Sequence, residues 1–136
     1  MTAFKILMLF ILLCFSNSNA FANSSTPSYL QNEINEAHKA YLFNDTATGL
    51  YALNSLARLL KYIGPDELSI EGTNLNLALT YFRIGLLHEK NSDGLLKNKY
   101  FSQAIVLAPN SKEILTSDFR TLVDKLDKNF SEWNIL

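Results

Sequence analysis

The chain has 136 residues, with 12 Lys and Arg against 13 Asp and Glu and a formal net charge of −1. That length suits one domain with a real core, and the balanced charge lacks the basic footprint of a nucleic-acid binder. Hydrophobic residues make up 48% of the chain, and their periodicity excludes wholesale disorder.

The first 22 residues read as a secretory signal peptide. Lys5 supplies the positive start, residues 6–15 are an unbroken apolar run, and residues 16–22 are small or polar and end in Ala20-Phe21-Ala22. Charge, apolar stretch and small-x-small site come in the order that export requires. The apolar run is too short to span a bilayer, which needs ~20 residues as a helix. Cys14, the single cysteine, lies inside this run behind Leu13, where a lipoprotein carries a small residue. Cleavage after Ala22 leaves a mature chain without disulfide, thiol nucleophile or Cys-based metal site. The expected destination is the periplasm of a bacterium or the medium, with no membrane span in the mature chain.

Residues 23–28 form a polar linker, with Ser28 the expected cap of a first helix. In that helix Leu30, Ile34, Ala37 and Tyr41 share one face. Asn44-Asp45-Thr46 breaks the chain, and a second helix is expected over 47–63. Its polar stripe is Asn54, Arg58 and Lys61, and Gly64-Pro65 is its expected stop. Residues 66–73 read as either a short helix or a loop, because Gly72 argues against a continuous helix. Residues 74–90 are apolar almost all round, as befits a central helix buried on several sides.

Asn91-Ser92-Asp93-Gly94 is a turn with capping residues, followed by a fourth helix over 95–107 that Pro109 ends. Asn110 and Glu113 have the spacing of a capping box. A fifth helix carries Leu115, Phe119, Leu122 and Leu126 on one face. The helical domain is thus expected over 29–130, with 131–136, including Trp133, as a tail. No segment alternates as a strand does, so the fold class is all-α: about five helices joined as antiparallel hairpins by short turns.

Residues 78–111 resemble one tetratricopeptide repeat. The large residue of its first helix falls on Tyr81, the Leu-Gly-like pair on Ile84-Gly85, the aromatic of its second helix on Phe101, its small residue on Ala104 and its closing proline on Pro109. The sequence departs from the pattern at His88, normally Tyr, and at Lys97, normally small. Residues 30–65 resemble a more degenerate copy. The resemblance implies a right-handed stack of helical hairpins in which Gly85 and Ala104 let two helices approach. It also implies a binding groove lined by Leu79, Phe82, Leu86 and Glu89. The alternative for that strip is core, if the first or fifth helix folds over it.

No pattern of catalysis is present. His38 and His88 have no partner at metal-binding spacing, and each reads as a surface or packing residue. Asp118, Asp124 and Asp127, set among lysines, read as a solvated face with exposed ion pairs. No metal or cofactor is expected. The resulting expectation is an exported, non-enzymatic module that binds another protein or a peptide, with self-association left open. The rival readings are a small helical carrier of an apolar ligand and an inhibitor or immunity-type protein.

Overall fold

A computed structural model describes residues 26–108 and 116–134. The leader, Pro109 and the capping box at Asn110 and Glu113 lie outside the described residues. Five helices follow one another: α1 (Ser28–Phe43), α2 (Thr46–Glu67), α3 (Ile70–Lys90), α4 (Gly94–Leu107) and α5 (Thr116–Asn134). Among the described residues there is no strand, as the periodicity requires. No helix among them is long and apolar enough to cross a membrane.

The helix starts follow capping chemistry. Asp45 accepts from the Thr48 backbone N–H at 2.9 Å, Ser69 Oγ from that of Gly72 at 3.0 Å and Asp93 from that of Leu96 at 3.0 Å. Each satisfies a backbone donor that the first helical turn leaves orphaned. At α1 the expectation fails. Pro27 occupies the cap position, no side chain caps it, and Ser28 is already helical.

Three further boundaries differ from the sequence reading. Helix α2 runs through Gly64-Pro65 to Glu67, because Gly64 is not a left-handed stop. No glycine among the described residues has a positive φ. A Cβ at Gly64 would sit 2.7 Å from Thr73 Cγ2, so this glycine is there for close packing of α2 on α3. Helix α3 begins at Ile70, with Gly72 in its first turn beneath the Ser69 cap, which settles residues 70–73 as helix. At the other end of the chain α5 continues to Asn134, so 131–134 are helix rather than tail. Trp133 projects from it 83% exposed.

The core is built around α3. Every residue from Leu77 to Gly85 is buried, so this helix meets neighbours on all sides. The hairpins α1–α2, α2–α3 and α3–α4 pack in sequence, and α5 returns onto α3 and α4. At the α3–α4 contact a Cβ on Gly85 would lie 2.5 Å from Phe101 Cδ1 and 3.4 Å from the Lys97 carbonyl oxygen. The atoms nearest Gly85 therefore belong to Phe101 and Lys97 rather than to Ala104, which is itself fully buried. Lys97 does not spoil the approach: its backbone makes the contact, while its ammonium reaches toward Glu89 at 3.9 Å.

Candidate functional site

The strip assigned to a groove is largely covered. Leu79 is 4% and Phe82 0% exposed, Leu86 is half-buried, and Glu89 alone reaches the surface. The Phe82 ring stacks on Phe101 at 4.4 Å and meets Phe119 of α5 at 5.0 Å. Phe119, Leu122 and Val123 are buried on the facing side of α5, each worth ~1.5–3 kcal/mol when removed from water. The open-groove expectation is therefore corrected at Leu79 and Phe82, which are both core, and Phe119 of α5 packs over the Phe82 ring. Tyr81 and Ile84 are buried too, with Tyr81 against Tyr100 at 5.9 Å.

Glu89 lies on the rim of an open concavity of about 590 Å3 between α3, α4 and the start of α5, with Lys97, Phe101, Ile105 and Arg120 in its lining. Its carboxylate binds Arg120 at 2.9 Å and stands 3.9 Å from Lys97. Arg120 also covers the Phe101 ring at 5.4 Å. The charges of this concavity are thus engaged with one another across three helices.

The C-terminal half of α5 is tied down by a buried ionic cluster that the sequence reading missed. Asp127 Oδ1 accepts from Arg83 Nε at 2.9 Å and from Arg83 Nη2 at 2.6 Å, and lies 2.8 Å from His38 Nε2. The three side chains come from α5, α3 and α1, and all are about nine-tenths buried. Burial alone would raise the Asp127 carboxyl. The hydrogen bonds from His38 and Arg83 and the arginine charge outweigh it and hold the group below the usual carboxylate range. An ionised carboxylate only accepts, so His38 Nε2 carries the proton and donates.

Burial also pushes the His38 imidazole below its ordinary value, and the Arg83 charge adds to that. The Asp127 hydrogen bond and charge oppose the shift without overcoming it. Tyr41, beneath the Arg83 guanidinium at 5.9 Å, has its phenol raised by burial and then by the Asp127 charge.

Asp127 thus corrects the reading of α5 as carrying only solvated carboxylates. The signal was present: Asp127 continues the i, i+4 line of the buried Phe119 and Val123, and Arg83 is the one Asp, Glu, Lys or Arg between Glu71 and Glu89 in a largely apolar stretch of α3. A His–Asp pair can orient a general base. Here the ring is covered by Phe130 at 4.1 Å and the carboxylate is held by Arg83, so the arrangement is a structural tie. Among the described residues no group of three or more His, Cys, Asp or Glu side chains is placed to hold a metal ion.

The outer face of α2 differs from these closed sites. Tyr51 is 75% and Tyr62 86% exposed, and Arg58 is exposed between them. At 100° per residue the three lie within about 40° of one line, over ~16 Å of helix. Arg58 Nη2 donates to Ser55 Oγ at 3.0 Å, on the same face. No protein-family model, curated protein or solved structure matches this chain.

Proposed function

We propose that the chain is an exported helical module, resembling tetratricopeptide repeats, that binds another protein or a peptide without catalysis. In this reading the contact surface is the outer face of α2 rather than the strip on α3. The observation that carries it is the line of Tyr51, Arg58 and Tyr62, exposed on a helix whose opposite face is core. Tyrosine and arginine are the side chains that dominate binding energy at protein interfaces. They bring large contact area or forked donors at modest ordering cost. The rim of the α3–α4–α5 concavity supports the same preference, since Glu89, Lys97 and Arg120 are occupied with each other. Export rests on the order of Lys5, the apolar run 6–15 and Ala20-Phe21-Ala22.

The test is retention from an envelope extract on immobilised mature chain, compared with a Tyr51→Ala/Tyr62→Ala variant. The expected result is a protein held by the wild type and lost by the variant, with stability within ~0.5 kcal/mol of wild type. Equal retention by both would remove the α2 face from the account.

A further inference from the structure

The buried cluster holds one carboxylate for two basic side chains. Arg83 from α3 already neutralises Asp127 from α5, and His38 from α1 donates to the same oxygen as a neutral ring. The other titratable neighbours do not supply a second anion inside the cluster. Tyr41 on α1 keeps its proton, and Asp124 on α5 acts on Tyr41 rather than on His38. No charge from α2 or α4 acts on the His38 ring. A proton added to His38 therefore places an uncompensated positive charge against Arg83 in a site shut off by Phe130 and Tyr41.

We propose that His38, Arg83 and Asp127 form an acid-released latch that holds the C-terminal half of α5 onto α1 and α3. The tie joins α5 to α1 through His38, with the Tyr41 hydroxyl of α1 also bonded to Asp127, and it sits at the end of α5 farthest from the Glu89–Arg120 pair. Breaking it frees residues near Asp127 and Phe130 first, while the hairpins α1–α2, α2–α3 and α3–α4 keep their own packing. This inference does not depend on what the α2 face binds.

The sign follows from linkage. Released α5 leaves His38 with an ordinary value of about 6.5, whereas docked α5 holds it lower. The open form binds the proton more readily, so docking is fully present above that value and weakens as pH falls below it. The weakening is about tenfold per pH unit until the docked-state value is reached. Asp127 stays ionised across this range, being held below the usual carboxylate range.

The experiment is amide hydrogen exchange of the mature chain by NMR between about pH 7 and pH 5, corrected for intrinsic exchange, alongside titration of both histidine rings. The latch requires that amides around residues 123–130 lose protection by about tenfold per pH unit once His38 begins to protonate, while α2 and α3 amides hold theirs. His38→Gln, which can donate without titrating, flattens that dependence, and His88→Gln leaves it intact. Three results would each overturn the proposal. One is a His38 ring in wild type that titrates at or above the ordinary value, which needs no variant to measure. Another is protection in α5 that falls in step with α2 and α3. The third is a His38→Gln chain that keeps the wild-type slope.

Discussion

Arg83 and Asp127 are 44 residues apart in sequence, yet two nitrogens of the one donate to a single oxygen of the other inside the molecule. Removing one partner leaves the other charge buried alone. Asp127→Leu is therefore expected to lower stability by ~3–5 kcal/mol in urea denaturation. Arg83→Met/Asp127→Leu, which removes both charges and keeps the volume, is expected to lose clearly less than the single change. A double variant as unstable as Asp127→Leu would mean that the loss is one of packing and not of pairing.

How much of this was legible in the sequence varies with the physics involved. The all-α class and the five helices follow from apolar spacing, a local property, and α3 is central because its apolar residues run all round. The stop at Gly64-Pro65 was misplaced because a glycine needed for close approach to Thr73 looks like a glycine needed for a left-handed cap. Asp127 was hidden by company: lysines flank it in sequence, whereas its partners come from α1 and α3. Whether Phe82 lines a groove or a core depends on where α5 lands, and no local pattern on α3 encodes that.

Gly85 is expected to reject even a methyl group. Its Cβ would fall 2.5 and 2.6 Å from Cδ1 and Cε1 of Phe101, a ring already stacked on Phe82. Alanine in a helix gains ~1 kcal/mol over glycine, but forcing the ring aside costs about 1–3 kcal/mol or more. A thermal melt of Gly85→Ala should show a net fall in Tm. An unchanged or higher Tm would show that α3 and α4 are not so closely apposed.

Ser92 is the non-glycine residue among those described that has a positive φ, at 61°. It closes α3 in a left-handed cap, with its own N–H bonded to Glu89 O at 3.0 Å and that of Asp93 to His88 O at 2.9 Å. Glycine removes the ~1–2 kcal/mol of left-handed strain and loosens the unfolded chain by ~0.4–1 kcal/mol. Ser92→Gly is expected to raise stability by ~0.5–1 kcal/mol on balance. A loss of stability in chemical denaturation would count against this cap.

Phe82 sits where α5 packs over α3. The most direct measurement is the unfolding free energy of Phe82→Ala in urea. A ring 0% exposed between Phe101 and Phe119 should cost ~3–5 kcal/mol on truncation, from lost burial and the cavity left behind. A loss within ~1 kcal/mol of wild type would mean that the ring lies open at a surface, and would contradict the account.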